Sequence, residues 1–205
     1  MKPVRIIQSR AVPLEQSDVD TDQIIPSDWL KRVERTGFGA GLFSEWRDAP
    51  DFVLNRPEYQ GARILIAGPN FGTGSSREHA VWALMDYGFE AVISSRFGDI
   101  FKNNCTKQGL LPVEASPEVV DSLMLAIKND PTLEITIDVD RTTIEAPAAM
   151  ISAGFPLDGF TKERLLNGWD DIGLTQRHED LISVYELSRP SWLPALSSPN
   201  LTKDQ

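Results

Sequence analysis

A chain of 205 residues can form one large domain, or one domain with a sizeable extension. Its formal net charge of −10 disfavours DNA, RNA and anionic membranes as partners, because phosphate binding needs clustered lysine and arginine. No apolar run approaches the roughly 20 residues that span a bilayer, and the start of the chain has no apolar signal segment. We therefore expect a cytoplasmic protein with no nucleic-acid partner and no membrane partner.

The first half of the chain predicts a strand, an irregular region and a βαβ unit. The strand is expected over Val4–Leu14, and a polar loop rich in carboxylates follows it as far as Pro26. Residues 27–60 show little periodicity, so they predict short helices and long loops. The βαβ unit, whose two strands should be parallel, consists of a strand at Arg63–Gly68, a helix at Ser76–Tyr87 and a strand at Ala91–Phe97.

The second half predicts two helices, a short strand and a hairpin. A short helix ends at Gly109, the strand "LLPV" follows it, and a longer helix covers Pro117–Asn129. Two alternating segments on either side of Asp140 and Arg141 predict the β-hairpin.

Past Gly159 the sequence predicts further helices and a tail rich in proline and serine, either mobile or docked on a partner. We therefore divide the chain into a main domain at 1–158 and a C-terminal helical extension and tail at 159–205. The extension would pack on the same domain or on a partner.

The cysteine and histidine content limits the metal sites that this chain can hold. The sequence has one cysteine, Cys105, and two histidines, His79 and His178. An iron–sulfur cluster needs about three or four cysteine ligands, and a structural zinc site needs about four cysteine or histidine ligands. We expect no metal site in this chain, so any metal chemistry would be supplied by another chain.

The stretch Asn70–Ala80, "NFGTGSSREHA", admits two interpretations. In the first, Ser75 and Glu78 form a capping box that starts the following helix. In the second, the glycine-rich turn is an anion site, because amides at a helix N-terminus are free and the helix dipole favours negative charge. Arg77 favours the second interpretation, since a cation in the first helical turn is electrostatically unfavourable unless an anion joins it.

Familiar phosphate and nucleophile motifs do not fit this stretch. The dinucleotide-binding pattern G-x-G-x-x-G does not match, because Arg77 occupies the position of the third glycine. The P-loop pattern does not match either, because no lysine precedes the serines. The hydrolase pattern G-x-S-x-G is absent. A small carboxylate ligand remains, since the planar guanidinium of arginine fits a carboxylate with two hydrogen bonds.

Five segments of the chain resemble one family. They are "DVDTDQIIP", "RTGFGAGLFSEWR", "NFGTGSSREHAVWAL", "FGDIFKNNCTKQGLLP" and "NGWDDIGLTQRHEDLISVYE". The third is similar to the signature of the small, swivelling domain of the aconitase superfamily. The whole chain resembles the bacterial small subunits of 3-isopropylmalate dehydratase. The resemblance implies an α/β fold, a single swivelling β/β/α-type domain with a mixed, partly parallel sheet or barrel flanked by helices, plus C-terminal helices.

The resemblance also implies an activity and a partner. The family's enzymes are hydro-lyases that interconvert 2-isopropylmalate and 3-isopropylmalate, small dicarboxylate hydroxy acids, through 2-isopropylmaleate in leucine biosynthesis. The large subunit carries a 4Fe-4S cluster and would be the partner without which this chain is inactive. No cofactor would be bound by this chain, in agreement with its cysteine count.

The family's site residues carry over to matching positions. Ser75 matches the catalytic base, Asp22 matches a catalytic aspartate in a Thr-Asp motif, and Arg77 matches the arginine that binds a substrate carboxylate. The alternative for Asp22 is a solvated acidic loop. Further candidates for substrate binding, with no choice made between the last two, are Thr21, Gly74, Ser76, Arg32 and Arg35.

Other functions remain open at this point. A subunit of a related dehydratase would act on citraconate and methylmalate or on homoaconitate. From a different class, a non-catalytic module would use the same turn to bind an anion. Turnover by the lone chain without iron would contradict the dehydratase interpretation.

Overall fold

The computed structural model describes residues 1–31, 36–190 and 192–193. The chain forms two compact units, Met1–Trp169 and a second that starts at Asp170. The assignment of residues 159–205 to an extension stays a prediction, and most of the predicted tail lies outside the described residues. No helix in the described ranges is long and apolar enough to cross a membrane.

The first unit is built on one sheet whose described strands have the order β4-β3-β2-β1-β5-β6-β7. The strands β1 to β4 pair in parallel, whereas β5, β6 and β7 continue the sheet antiparallel from β1. The predicted mixed, partly parallel sheet is therefore confirmed. The strands are β1 (Ile6–Leu14), β2 (Ile64–Ala67), β3 (Ala91–Ser94), β4 (Leu111–Glu114), β5 (Glu134–Asp138), β6 (Thr143–Ala146) and β7 (Ile151–Gly154).

Burial explains why the two halves of the sheet differ. Every residue of β2 and β3 is buried, as expected for parallel strands covered on both faces. In β5 buried and more exposed residues alternate, which is typical of an antiparallel strand with one solvated face. The site described below follows the carboxyl end of β2 in the parallel half.

The helices lie between and beyond the strands. In the first unit they are α1 (Thr21–Ile24), α2 (Ser44–Arg47), α3 (Glu78–Tyr87), α4 (Asp99–Gln108), α5 (Pro117–Asn129) and α6 (Gly159–Asn167). In the second unit they are α7 (Asp171–Gln176) and α8 (Glu179–Ser188). Short 3-10 turns occupy Ser27–Lys31, Phe38–Gly41, Val53–Asn55, Pro57–Tyr59 and Pro147–Ala149.

Most predicted elements are confirmed, and three details differ. The acidic loop after β1 contains the short helix α1, and the strand β7 pairs with β6 where no strand was expected. The helix α3 starts at Glu78, two positions later than the predicted Ser76. The differences at α1 and α3 involve contacts between these two distant parts of the chain.

Candidate active site

The glycine-rich turn that follows β2 is anchored to the segment that follows β3. The amide of Phe71 donates to the carbonyl of Arg96 at 3.0 Å, and the amide of Gly98 donates to the carbonyl of Phe71 at 2.9 Å. Because β2 and β3 are parallel, both segments leave the same edge of the sheet. The turn therefore lies at the carboxyl ends of the strands, where open α/β sheets place ligands.

A second anchor comes from the segment before α1. The amide of Gly72 donates to the carbonyl of Val19 at 2.7 Å, and the amide of Thr21 donates to the carbonyl of Thr73 at 3.0 Å. The side chain of Thr21 also donates, to the carbonyl of Ser75 at 3.1 Å. These bonds bring the Thr-Asp motif at 21–22 against the turn at 72–75.

Glycine is required at Gly72. Its φ of +75° lies in the left-handed region, where a Cβ is unfavourable. A Cβ at this position would lie 2.2 Å from Cγ of Phe101. The turn therefore needs both the conformational freedom and the small size of this glycine.

The helix α3 has no side-chain cap, so the predicted capping box of Ser75 and Glu78 is wrong. Arg77 is the N-cap residue, and no side-chain hydrogen bond caps the helix. The capping box lies instead at the start of α1, where the carboxylate of Asp20 accepts from the amide of Gln23 at 2.8 Å. The side chain of Gln23 in turn accepts from the amide of Asp20 at 2.9 Å.

The absence of a cap leaves amide groups available for a ligand. Within the described ranges, the backbone N–H groups from Gly74 to His79 donate to no protein acceptor. A helix N-terminus with free amides and the positive end of the helix dipole is suited to bind an anion. Ser75 and Ser76 are exposed at this point of the surface.

Arg77 forms an ion pair with Asp22, the second residue of α1. The side chain of Arg77 is 18% exposed, whereas that of Asp22 is 54% exposed. The guanidinium is thus held in place by a carboxylate whose other side faces solvent. A guanidinium has five N–H donors, so pairing with Asp22 leaves donors for a second carboxylate.

Comparisons with known proteins identify the family. The family model described as the aconitase C-terminal domain matches residues 1–118. The 3-isopropylmalate dehydratase small subunit of Parafrankia sp. (strain EAN1pec) is 61% identical over 194 residues, which are 95% of this chain and 98% of that protein. The chain belongs to the 3-isopropylmalate dehydratase small-subunit family.

Two further comparisons agree with this family. The 3-isopropylmalate dehydratase small subunit of Rubrobacter xylanophilus is 58% identical, with 95% of this chain and 98% of that protein covered. The crystal structure of a 3-isopropylmalate dehydratase from Methanocaldococcus jannaschii is similar with a TM-score of 0.65 and 26% identity. That likeness covers 87% of this chain and 98% of the archaeal chain. The fold expected from the sequence is thereby confirmed.

Among the site residues predicted for this dehydratase subunit, the structure brings together those of the two motifs. Asp22 is paired with Arg77, Thr21 contacts Ser75, and Gly74 lies beside Thr21. Ser76 is the exposed neighbour of Ser75. Arg32 and Arg35 lie outside the described residues.

Sequence reasoning missed two residues that support the turn. The side chain of Asn70 donates to the carboxylate of Asp18 at 2.6 Å, and both residues have a positive φ. Asparagine and aspartate tolerate this conformation better than other non-glycine residues. The acidic loop before α1 therefore contains structural carboxylates, and the asparagine at the start of "NFGTG" was the signal for them.

The remaining conspicuous side chains have structural surroundings. The ring of His79 packs edge-on against Phe38 and Trp82, with ring centroids 5.3 Å and 4.7 Å away. Cys105 is fully buried in the core, and burial raises the pKa of its thiol well above the usual value. No group of three or more His, Cys, Asp or Glu side chains among the described residues could hold a metal ion.

Proposed function

We propose that this chain is the small subunit of 3-isopropylmalate dehydratase, a hydro-lyase. The enzyme removes water from 2-isopropylmalate to give 2-isopropylmaleate, then adds water back with the hydroxyl on the neighbouring carbon to give 3-isopropylmalate. The reaction belongs to leucine biosynthesis. The observation that carries the proposal is the contact between the turn that contains Ser75 and Arg77 and the motif Thr21-Asp22 of α1, in a chain 61% identical to a subunit of that name.

Ser75 is proposed as the base. In the dehydration, it takes the proton from the carbon next to the one that bears the hydroxyl, the electron pair of that C–H bond forms the double bond, and the C–O bond breaks. A serine hydroxyl is a poor base in water, so its charged form needs stabilisation. The amides from Gly74 to His79, which have no acceptor among the described residues, and the guanidinium of Arg77, two positions along the chain, would supply positive charge near it. Exclusion of water by a partner would strengthen both effects.

Arg77 is proposed to bind a carboxylate of the substrate. Its side chain is mostly buried and its guanidinium is paired with Asp22, so the group is oriented before the substrate arrives. Charge-assisted hydrogen bonds between a guanidinium and a carboxylate are stronger than hydrogen bonds between neutral groups, and two parallel bonds also set the orientation of the ligand. Asp22 would then act on the substrate through the position of Arg77.

The proposal includes a large subunit as partner and a 4Fe-4S cluster on that subunit. The one cysteine of this chain is buried in α4, so this chain lacks the thiolate ligands for a cluster. The cluster would supply a Lewis acid for the hydroxyl that leaves. A cytoplasmic location stays part of the proposal.

The names of the relatives favour this substrate over the alternatives. The relatives from Parafrankia and Rubrobacter carry the 3-isopropylmalate name, and each match spans 95% of this chain. The related dehydratases of citraconate, methylmalate or homoaconitate have no comparable support, and neither has a non-catalytic anion-binding module.

Reconstitution tests the proposed function. This chain is mixed anaerobically with a cluster-loaded large subunit, and formation of 2-isopropylmaleate from 2-isopropylmalate is followed by ultraviolet absorbance. We expect turnover with both chains present and none with either chain alone. Methylmalate and homoaconitate serve as competing substrates, and a preference for one of them would replace isopropylmalate in the proposal. No turnover with a large subunit that is active with its own small subunit would reject it.

A further inference from the structure

Thr21 is the buried residue in the contact between the two motifs. Its side chain is almost inaccessible, with 1% of the residue exposed. Its backbone amide donates to the carbonyl of Thr73 at 3.0 Å, and its hydroxyl donates to the carbonyl of Ser75 at 3.1 Å. Both of its donors are therefore used within the protein, which disfavours the substrate-binding role expected from the sequence.

The hydroxyl bond reaches the part of the turn that has little other support. Within the described ranges, the amides of Gly74, Ser75 and Ser76 donate to no protein acceptor, and all three residues are exposed. Gly74 has a φ of +90°, a conformation that glycine adopts but does not enforce. The bond from Thr21 is thus the polar contact that ties the backbone of Ser75 to the folded core.

We propose that Thr21 is a positioning residue for the serine base. By holding the carbonyl of Ser75, its hydroxyl sets the direction in which the side chain of Ser75 leaves the backbone. Without this bond the glycine-flanked turn samples more conformations, and the serine oxygen spends less time in reach of the substrate carbon. This inference rests on the proposed function, in which Ser75 is the base.

The effect should appear in kcat more than in KM. The substrate carboxylate is assigned to Arg77, and Arg77 is held separately by Asp22. Loss of the Thr21 hydroxyl leaves that ion pair in place. A misplacement of about 1 Å can reduce a catalysed rate by about a hundredfold, whereas uniform substrate binding is not affected by it.

The experiment uses the enzyme reconstituted with its large subunit. Thr21→Val removes the hydroxyl with little change of shape, and Thr21→Ser retains it. Thr106→Val is the matched control, because Thr106 is also buried and its hydroxyl donates to a carbonyl in α4, that of Asn103, at 2.9 Å. Assembly is measured by size-exclusion chromatography with light scattering, and kcat is expressed per assembled complex.

We expect Thr21→Val to lower kcat by about tenfold to a hundredfold, with KM within about twofold of the wild type. Thr21→Ser should recover most of the activity, and Thr106→Val should match the wild type.

A Thr21→Val enzyme with the kcat of Thr106→Val overturns the inference, and so does a change confined to KM, which indicates a substrate contact. If Thr21→Val does not assemble, the effect of the hydroxyl is measured by comparing Thr21→Ser, which keeps it, with Thr21→Ala, which lacks it. Equal kcat values for these two variants overturn the inference. An inactive wild type rejects the proposed function itself, a result distinct from all of these.

Discussion

The guanidinium of Arg77 is paired with the carboxylate of Asp22, and 55 positions of sequence separate the two residues. The pair joins the N-cap of α3 to the first turn of α1. Since a guanidinium has five N–H donors, a second carboxylate can bind the donors that the pair with Asp22 leaves unused. This relationship leads to the first two predictions.

Asp22→Asn should lower both activity and stability. The side chain of Arg77 is only 18% exposed, so loss of its charged partner should lower the free energy of unfolding by about 1–3 kcal/mol. The orientation of Arg77 is lost, so kcat/KM should fall by at least about tenfold. Urea unfolding and steady-state kinetics of the reconstituted enzyme measure the two effects. An unchanged kcat/KM would show that Asp22 is not required to orient Arg77.

Arg77→Lys should weaken substrate capture. Lysine keeps the charge but replaces the planar fork by a point charge, so bidentate binding of a carboxylate is lost. We expect KM to rise by about tenfold or more, with a smaller fall in kcat, since one charge-assisted hydrogen bond contributes about 1.5–3 kcal/mol. Initial rates across a range of 2-isopropylmalate concentrations separate the two parameters. A fall in kcat at constant KM would contradict the assignment of Arg77 to ground-state binding.

Ser75→Ala should abolish turnover without a cost in stability. Since Ser75 is exposed and does not cap α3, the free energy of unfolding should change by no more than about 0.5 kcal/mol. Loss of the base should lower kcat by about a hundredfold to ten-thousandfold. Ser152→Ala, at an exposed serine of β7 to which no role is assigned, is the control. Retained activity in Ser75→Ala would indicate that this turn has a purely structural role.

Gly72→Ala should destabilise the protein more than Gly88→Ala. Both glycines have a positive φ, so each substitution costs about 1–2 kcal/mol from the backbone alone. A Cβ at Gly88 meets nothing within 4 Å, whereas one at Gly72 lies 2.2 Å from Phe101. We expect a further loss of about 1–3 kcal/mol for Gly72→Ala, from overpacking. Chemical unfolding of both variants gives the difference, and equal losses would refute the steric argument.

Cys105 should be unreactive in the folded protein. Burial raises the pKa of its thiol well above the usual value, so the reactive thiolate is scarce at neutral pH, and the sulfur is inaccessible. A thiol reagent such as 5,5′-dithiobis(2-nitrobenzoic acid) should therefore react slowly with the native chain and rapidly in urea. Fast reaction of the native chain would contradict its placement in the core.

Local sequence signals predicted most of the regular elements. The helix α5 was predicted with its observed bounds, because Pro117 at the first position and a preceding serine are strong start signals. The strands β2 and β3 were recognisable as short apolar runs, and their parallel pairing followed from the helix between them. These features depend on residues that are close together in the chain.

Two segments that fit the capping-box pattern show that a local motif does not by itself predict a capped helix. Both Asp20-x-x-Gln23 and Ser75-x-x-Glu78 fit the capping-box pattern, but only the first forms one. At the second position the backbone of the turn is bound to Val19 and Thr21, and Gly72 and Gly74 adopt positive φ values. This arrangement delays the start of α3 to Glu78 and leaves the amides before it without an acceptor in the described part of the chain.

By itself, the sequence determined the order of most elements and the family, and it proposed the reactive side chains, because apolar periodicity and short motifs are local properties. Tertiary structure alone decided that "NFGTGSSREHA" leads into α3 without a side-chain cap, that Arg77 is paired with Asp22, and that Thr21 faces the backbone of Ser75. These are contacts between segments more than fifty residues apart. They form because β1 and β2 are adjacent parallel strands, so the segments that follow them meet at one edge of the sheet.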